Sequence, residues 1–242
     1  GAPTTSVEGN APGGAVVTFA ASASDAVDGS IAVTCVPASG STFPVGATSV
    51  SCTVTDANGN TGSASFTVAV IDTTPPAVTL NGLSSIALEA GASFLDPGAA
   101  GVDIVDGSLP VSVTGAVSVL VPGAYTLTYS ATDAAGDTGT ATRTVTVIDT
   151  TPPILTVPAN IAGVEATGPS GAAVSYAVGA GDIADPDVAI ACSPASGSTF
   201  PVGTTAVTCT APDDSGNAPT ASFTVPVVDT TAPVIVPHVS LV

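Results

Sequence analysis

The chain has 242 residues and a net charge of −18, with one basic residue, Arg143, against 19 acidic ones. A surface of this sign repels nucleic acid and anionic membranes and attracts divalent cations, so we expect neither nucleic-acid binding nor membrane insertion. Because 45% of the residues are hydrophobic and only 8% are charged, the chain can bury cores and is not a disordered acidic tail.

The tripeptide Asp-Thr-Thr, followed by Pro-Pro or Ala-Pro, occurs three times, each time after a run of alternating apolar residues. It begins at Asp72, Asp149 and Asp229, with spacings of 77 and 80 residues. Repetition at a fixed period is typical of arrays of small, similar domains. We therefore predict three domains and a C-terminal strand. Their predicted bounds are residues 1–74, 75–151, 152–231 and 232–242.

Within each repeat, apolar residues alternate with small or polar ones, which predicts β-strands. In the first repeat the clearest alternation lies at residues 31–35, 50–54 and 66–70, and the middle repeat continues the pattern. Asp-Gly, Asn-Gly and Pro-Gly pairs mark the turns between these runs. About seven short strands per repeat predict an all-β fold of three tandem immunoglobulin-like β-sandwich domains in an extended array.

Four cysteines form two pairs with identical spacing, Cys35 with Cys52 and Cys192 with Cys209. An even number of cysteines, matched by domain, predicts two disulfides within domains and an oxidising, extracellular location. Buried free thiols are the alternative.

The first and third repeats align without a gap at an offset of 157, and residues 37–46 recur unchanged as residues 194–203. Both contain Gly-Ser-Thr-Phe-Pro-Val-Gly, Val-x-Cys-Thr, Asp-x-x-Gly-Asn and Phe-Thr-Val ahead of Asp-Thr-Thr. Through these motifs, at residues 34–76 and 191–233, they resemble hyalin repeats, the HYR family. That resemblance implies an extracellular module related to adhesion.

The middle repeat carries Leu-Asp-Pro-Gly-Ala at residues 95–99, Tyr-Ser-Ala-Thr-Asp at 129–133 and Arg-Thr-Val-Thr-Val at 143–147. In these it resembles the bacterial Ig-like repeats of large surface proteins. Both resemblances imply spacer, stalk or adhesion modules rather than catalysts. No nucleophile elbow, phosphate-binding loop or metalloprotease motif is visible, and we predict that the protein is not an enzyme.

Nearly every Asp lies in one of three recurring places. The first acidic loop precedes the Cys-bearing strand or its equivalent, and the second acidic loop follows the next long strand. The third place is the Asp-Thr-Thr segment between repeats, the linker. In an Ig-like sandwich the two loops share one end, and the preceding domain delivers its linker to that end. Converging carboxylates bind Ca²⁺, so we expect Ca²⁺ at the domain junctions. Asp is also a common turn residue that needs no ion, and this alternative stays open. The candidate ligands are Asp25, Asp28, Asp56, Asp72, Asp103, Asp106, Asp133, Asp137, Asp149, Asp182, Asp185, Asp187, Asp213 and Asp229.

Arg143 stands at the position that Phe66 and Phe223 hold in the neighbouring repeats. The alternation directs it inward, near the acidic loops. Since an unpaired inward charge is costly, we predict that it pairs with an Asp or Glu of the middle domain.

The alignment makes Gly1 equivalent to Pro158, so the first repeat lacks a counterpart of residues 149–157, while residues 229–242 resemble that missing piece. Either the chain is a slice of a longer array, or the tail of one subunit completes the first domain of the next. We predict the second, a head-to-tail homopolymer that builds a filament, stalk or adhesive fibre. The predicted interface residues are Pro233, Val234, Ile235, Val236, Val239 and Leu241.

The alternative function is that of a fragment of a long cell-surface adhesin, whose repeats act as spacers or as glycan- or receptor-binding modules. A glycan site would need an exposed aromatic platform, and aromatic residues make up only 4% of the chain.

Overall fold

The computed structural model describes residues 6–236, and these residues form β-strands and turns without a helix. In this part of the chain there is accordingly no helix with the length and hydrophobicity to cross a membrane. The prediction of an all-β fold is confirmed. The described residues fall into two compact units. The first consists of residues 6–86, 95–117 and 125–145, and the second of residues 87–94, 118–124 and 146–236.

The first repeat lies in the first unit. Its strands are β1 (Ser6–Glu8), β2 (Ala15–Val16), β3 (Ala23–Asp25), β4 (Gly29–Ile31), β5 (Thr34–Val36), β6 (Thr42–Phe43), β7 (Gly46–Thr55) and β8 (Thr61–Ile71). One sheet has the order β1-β8-β7-β5, while β2 pairs with β6 and β3 pairs with β4. Strand β1 runs parallel to β8, and the other pairs are antiparallel.

The middle repeat contributes residues to both units. Its strands are β9 (Ala77–Leu80), β10 (Ser85–Glu89), β11 (Ala99–Asp103), β12 (Gly107–Leu109), β13 (Ser112–Thr114), β14 (Gly123–Thr132) and β15 (Thr138–Ile148). They form a sheet of order β10-β15-β14-β13 and a second sheet of order β12-β11-β9. In the second sheet the first strand of the repeat, β9, pairs antiparallel with β11.

The third repeat lies in the second unit. Its strands are β16 (Ile154–Thr156), β17 (Val164–Glu165), β18 (Ala172–Ala173), β19 (Gly179–Gly181), β20 (Ala191–Ser193), β21 (Thr199–Phe200), β22 (Gly203–Thr210) and β23 (Thr220–Val228). The sheet order β17-β23-β22-β20 repeats that of the first repeat, and β18 pairs with β21 as β2 pairs with β6. One strand is additional: β16 pairs antiparallel with β19.

The cores of the first and third repeats follow from period-two alternation along their long strands. In β7 and β8, Val50, Cys52, Val68 and Val70 point inward and are buried, while their neighbours in sequence are more exposed. They pack with Phe43 into one cluster, and the equivalent residues of the third repeat form another. Each fully buried Val or Phe contributes about 1.5–3 kcal/mol relative to an exposed one.

The two predicted disulfides are confirmed. Cys35 lies directly opposite Cys52 on β5 and β7, and Cys192 lies opposite Cys209 on β20 and β22, with a Cα–Cα distance of 4.0 Å in both. Each joins neighbouring strands of one sheet. Closing a loop of this length restricts the unfolded chain and contributes about 3 kcal/mol in the chain-entropy model.

The middle repeat has no cysteine and instead buries the single arginine of the chain. The Arg143 side chain is fully buried and forms an ion pair with Asp96 through Nη1. The same nitrogen donates to the Tyr129 hydroxyl at 2.7 Å, while Nε donates to the Leu83 carbonyl at 2.9 Å and Nη2 to the Asn81 carbonyl at 2.6 Å. The predicted pairing with an acidic residue is therefore confirmed. The partner comes from the segment before β11 and not from the acidic loops.

Burial acts to raise the pKa of Asp96, but hydrogen bonds from Tyr129 and the Gly98 N–H, together with Arg143, hold that pKa below its ordinary value. Asp96 is therefore a carboxylate at neutral pH, and its charge is matched by the guanidinium.

We expect the Arg143→Ala substitution to lower the free energy of unfolding by about 3–5 kcal/mol, because it leaves Asp96 and several buried acceptors without their donor. Urea denaturation of the chain measures this change. Thr142→Ala, at the exposed position before it on β15, is the matched control and should change stability by less than about 0.5 kcal/mol. Equal stability of the Arg143→Ala variant and the unsubstituted chain would show that the network is not needed.

Candidate functional site

The first acidic loop of each repeat begins with an Asp that closes a tight turn. Its Oδ1 accepts backbone N–H groups from the residues two and three positions later. The two distances are 2.7 and 3.1 Å for Asp25, 2.6 and 3.0 Å for Asp103, and 2.7 and 3.1 Å for Asp182. Asp suits this position because its short side chain can bond to its own backbone. The turn uses one carboxylate oxygen and leaves Oδ2 outside it.

The second acidic loop is closed in the same way by Asp56, Asp133 and Asp213. The Oδ1 atom of each accepts the N–H of the residue four positions later, at 2.8, 2.8 and 2.7 Å respectively. In the first and third repeats that fourth residue is an Asn, whose side-chain amide also donates to Oδ2. In the middle repeat it is Asp137, which has no amide.

A third Asp in each repeat fastens the two loops together. Its Oδ2 accepts a backbone N–H from the residue that follows the second-loop Asp. The three pairs are Asp28 with Ala57 at 3.2 Å, Asp106 with Ala134 at 2.8 Å, and Asp185 with Asp214 at 3.2 Å. The two acidic loops of each repeat therefore lie together, as the sandwich topology predicts.

In the first unit, the linker after β8 joins these loops at a cluster of three carboxylates. Asp72, Asp103 and Asp133 each place one oxygen within 4.8 Å of the others, and all three are buried, with exposed fractions of 8%, 4% and 7%. Oδ2 of Asp103 and Oδ2 of Asp133 are buried without a hydrogen-bond partner. Burial first, and then the charges of Asp103 and Asp133, raise the pKa of Asp72.

This arrangement is unfavourable for the protein alone. A buried polar atom without a partner costs about 1–3 kcal/mol, and a charged one costs more. The only Lys or Arg of the chain is Arg143, and it is bound to Asp96. Oxygens on opposite sides of a calcium ion lie about 4.8 Å apart, because the Ca–O distance is about 2.4 Å. The cluster therefore has the ligand chemistry and the spacing to hold such an ion.

The second unit repeats the cluster after β15, with Asp149, Asp182 and Asp213 within 4.8 Å of one another. In this cluster, Oδ2 of Asp149 is buried without a hydrogen-bond partner. The Asn217 amide donates to Oδ2 of Asp213 at 2.9 Å and to the Asp149 carbonyl at 3.3 Å. Burial acts to raise the pKa of Asp213, but hydrogen bonds from Asn217, together with the N–H groups of Gly216 and Ser215, hold that pKa below its ordinary value.

Eight of the fourteen candidate ligands lie outside these two groups of three. In the first repeat Asp25 and Asp56 have no linker Asp beside them in the described part of the chain. Three others join the two loops of a repeat, Asp137 is half-buried in its loop, and the remaining two are exposed. The eight are Asp25, Asp28, Asp56, Asp106, Asp137, Asp185, Asp187 and Asp229.

The predicted interface segment is exposed over its described part. Val234, Ile235 and Val236 are 86%, 89% and 75% exposed, and Pro233 is exposed as well. Val239 and Leu241 lie outside the described residues.

Glu8, Glu89 and Glu165 occupy matching positions in the three repeats, where the sequence predicts solvated charges at an edge, with further ion ligands as the alternative. In the structure all three bind the linker. Glu8 in β1 accepts the Thr73 N–H at 2.7 Å, the Thr73 hydroxyl at 3.1 Å and the Thr74 hydroxyl at 3.1 Å. Glu89 and Glu165 bind the next two Asp-Thr-Thr segments in the same way. This contact accounts for the two threonines of the repeated tripeptide. The equal alignment of the glutamates was the one signal in the sequence that pointed to it.

The Glu165 carboxylate also gives a pH-dependent contribution to stability. Hydrogen bonds from the Thr230 N–H, and then from the Thr230 and Thr231 hydroxyls, lower the pKa of Glu165. The carboxylate is favoured in the folded chain, so its contribution is complete above the ordinary Glu pKa. It is lost as the pH falls through the lowered pKa of the folded state.

We therefore expect Glu165→Gln to lower the melting temperature at pH 7 and to reduce the loss of stability on acidification below about pH 5. Thermal melts in chelator at several pH values measure both. Asp187→Asn removes one exposed carboxylate that binds no linker and is the control for charge alone. An identical pH profile for Glu165→Gln and Asp187→Asn would contradict the role of the linker contact.

Comparison with known proteins agrees with the predicted resemblances. The HYR domain model matches residues 4–70 and 148–227, and the model for the bacterial surface protein, Ig-like domain matches residues 78–147. Hyalin from Lytechinus variegatus is 39% identical over 215 residues, covering 81% of this chain and 40% of that protein. Hyalin from Strongylocentrotus purpuratus is 37% identical over 212 residues, covering 81% of this chain and 18% of that protein. The chain thus spans less than half of either relative.

Among solved structures, the chain is similar to the protocadherin gammaB7 EC3-6 cis-dimer structure, with 16% identity, 93% of this chain and 71% of that chain covered, and a TM-score of 0.36. It is also similar to mouse cadherin-23 EC22-24, with 14% identity, 94% and 96% coverage, and a TM-score of 0.31.

The two domain families and the hyalin relatives are extracellular, adhesion-type and structural modules rather than enzymes, and the two disulfides fit that location. The predicted fold of about three tandem Ig-like domains agrees with the matched segments. Because the HYR model matches more than half of its residues, the chain belongs to the HYR-domain family, with a bacterial surface Ig-like domain between its two HYR segments.

Proposed function

We propose that this chain is an extracellular structural subunit that assembles head to tail into a filament or adhesive fibre. The C-terminal segment of one copy adds a strand to the first repeat of the next. The observation that carries this proposal is a groove in the first repeat at the place where the third repeat holds its additional strand, β16.

The two repeats supply the comparison. In the third repeat β16 pairs with β19, and Leu155 of β16 packs against the core. The equivalent of β19 in the first repeat is β3, which among the described residues pairs with β4 alone. A groove of about 310 Å³ lies beside it, lined in part by Ala23, Val33, Val54 and Phe66.

Core residues along this groove are less covered than their counterparts. Phe66 is half-buried, whereas the equivalent Phe223 is 4% exposed. Val54 is half-buried, whereas the equivalent Ala211 is fully buried. An apolar side chain placed where Leu155 lies in the third repeat would cover both residues of the first repeat. The favourable contribution of burying such a side chain is about 1.5–3 kcal/mol.

The C-terminal segment resembles β16 and the linker before it in sequence. At an offset of 80, Asp229 aligns with Asp149 and Ile235 aligns with Leu155. The register of β16 on β19 would place Ile235 opposite Ala23 of the neighbouring copy. An exposed apolar segment with strand propensity is an aggregation hazard unless it is paired, which favours a dedicated partner for it. In a longer chain, residues ahead of Gly1 are the competing occupant of the groove.

Ile235→Asp should abolish assembly, because it places a charge in the apolar groove. Val234→Asp is the matched control: it aligns with Ile154, which is 78% exposed, and should assemble normally. Light scattering after size exclusion and negative-stain microscopy give the readout at micromolar concentration. A chain lacking residues 230–242 should remain monomeric.

Monomers of the unsubstituted chain, or filaments that persist after the deletion, would overturn strand addition.

We further propose that the two carboxylate clusters bind Ca²⁺ and hold each linker to the acidic loops that follow it. The support is the set of buried carboxylate oxygens without partners in clusters that contain no basic side chain. Calcium sites of extracellular modules have dissociation constants of about 10⁻⁴–10⁻³ M, which suits the proposed location. Within each cluster, the ion would replace the repulsion among the three carboxylates by the attraction of each carboxylate to the cation.

At 10 mM Ca²⁺, binding of this strength stabilises the folded state by about 1.4–2.7 kcal/mol per site, so the melting temperature should rise by several degrees relative to chelator. Asp103→Asn and Asp182→Asn, combined, should remove most of the rise, because Asn keeps Oδ1 for the turn and loses the charge. Asp25→Asn changes the same turn in the first repeat. Made together with Ile235→Asp, which keeps Asp229 of another copy away from this repeat, it should keep the full rise. An unchanged midpoint in calcium and in chelator would remove the ion from the proposal.

A further inference from the structure

We propose that the residue four positions after the second-loop Asp sets the cation affinity of its cluster. Asp137 makes the cluster of the first unit the tighter site, and Asn217 makes that of the second unit the weaker one. The inference rests on the cation binding proposed above and specifies which residue regulates it.

The two loops have the same backbone arrangement, so this residue can be compared directly. The N–H of Asp133 donates to the Asp137 carbonyl at 3.1 Å, and the N–H of Asp213 donates to the Asn217 carbonyl at 3.0 Å. The return bonds, from the N–H of the fourth residue to Oδ1, measure 2.8 and 2.7 Å. Both fourth residues are half-buried. The backbone of this loop therefore accommodates either Asp or Asn at this position.

The difference lies at the second carboxylate oxygen. The Asn217 amide donates to Oδ2 of Asp213 at 2.9 Å, so this oxygen is already satisfied without an ion. Oδ2 of Asp133 is buried without a partner. Asp137 cannot take the role that the Asn217 amide has, because a carboxylate has no hydrogen to donate.

The first repeat shows what this residue does away from a linker Asp. There Asn60 donates to Oδ2 of Asp56 at 2.8 Å, as Asn217 does to Asp213. An amide in this position therefore closes the loop without help from a cluster. We infer that Asn belongs to a loop that is stable by itself, whereas Asp belongs to a loop that relies on an added positive charge.

Cation affinity should follow from both effects. In the cluster around Asp213 an ion has to compete with an amide for one of its ligand oxygens. In the cluster around Asp133 that oxygen is free, and Asp137 adds a further negative charge close by. Calcium sites are tuned by the number of charged ligands, so the first cluster should fill at lower Ca²⁺ concentration than the second.

The test exchanges the two residues and follows Ca²⁺ binding by isothermal titration calorimetry on the full chain. The unsubstituted chain should show two classes of site. Asp137→Asn should weaken the tighter class by about tenfold, and Asn217→Asp should tighten the weaker class by about the same factor. Asn60→Asp is the matched control in the first repeat, where no linker Asp is present among the described residues. Made together with Ile235→Asp, so that no other copy delivers its Asp229, it should add no site of comparable affinity.

A second readout needs no calcium. In chelator, Asp137→Asn should raise the melting temperature, because the new amide satisfies Oδ2 of Asp133, and Asn217→Asp should lower it. Both residues already occur at this place in the chain, so neither exchange should prevent folding.

The outcomes separate the two proposals. If the chain binds Ca²⁺ but the exchanges leave both affinities and both melting temperatures unchanged, this inference is wrong and the calcium sites stand. If no variant binds Ca²⁺ at millimolar concentration, the proposed calcium function fails. Shifts in chelator alone would then show that the residue acts on loop stability and regulates no ion.

Discussion

Repulsion among buried carboxylates is the constraint on which much of this molecule depends. Strand β8 ends at Ile71, and Glu8 binds the two threonines of the linker, so Asp72 is held between two fixed points. Its carboxylate then lies within 4.8 Å of two others. The only Arg of the chain is bound to Asp96 in a different network, so no Lys or Arg compensates the charge of this cluster. The same logic applies at Asp149.

The three repeats also act as comparisons for one another, because one sandwich topology is built with small local changes. In the third repeat Leu155 of β16 packs against the core cluster that contains Phe223, whereas among residues 6–236 no equivalent strand pairs with β3 of the first repeat. The middle repeat replaces the disulfide and the core Phe by a buried arginine with its acceptors. This last change removes one stabilising contact and adds another close by. The role of a residue can therefore be inferred by comparing it with the residues at the same position in the other repeats.

Much of this could be predicted from the sequence, since its signals are local or repeated. Alternation gave the strands, equal spacing paired Cys35 with Cys52 and Cys192 with Cys209, and the recurrence of Asp at loops and linkers placed carboxylates from distant segments at one end of each sandwich. Six of the predicted ligands do meet, three in each unit. The remaining ones serve turns and loop contacts, because an Asp that closes a turn and an Asp that binds an ion have the same local sequence.

In two contacts the sequence did not identify the partner, and both join residues far apart in the chain. Glu8 is 65 residues from Thr73, and Asp96 is 47 residues from Arg143. Asp96 does not stand out by composition or period, because any Asp before a Pro has the same pattern. Glu8 recurs with the repeats, but its recurrence does not identify the linker threonines as its partners. The sequence also showed no sign of the buried carboxylate oxygens that lack a hydrogen-bond partner. These depend on which loops the fold brings together and on which neighbouring side chain carries an amide.

The burial of Arg143 has a consequence for proteolysis. Trypsin cleaves after Lys and Arg, and this chain offers a single such bond, between Arg143 and Thr144, inside strand β15. Since the arginine is fully covered, the protease gains access when the middle repeat opens. The digestion rate then reports the opening equilibrium of that one repeat, within an otherwise uncut chain, provided that reclosing is faster than cleavage.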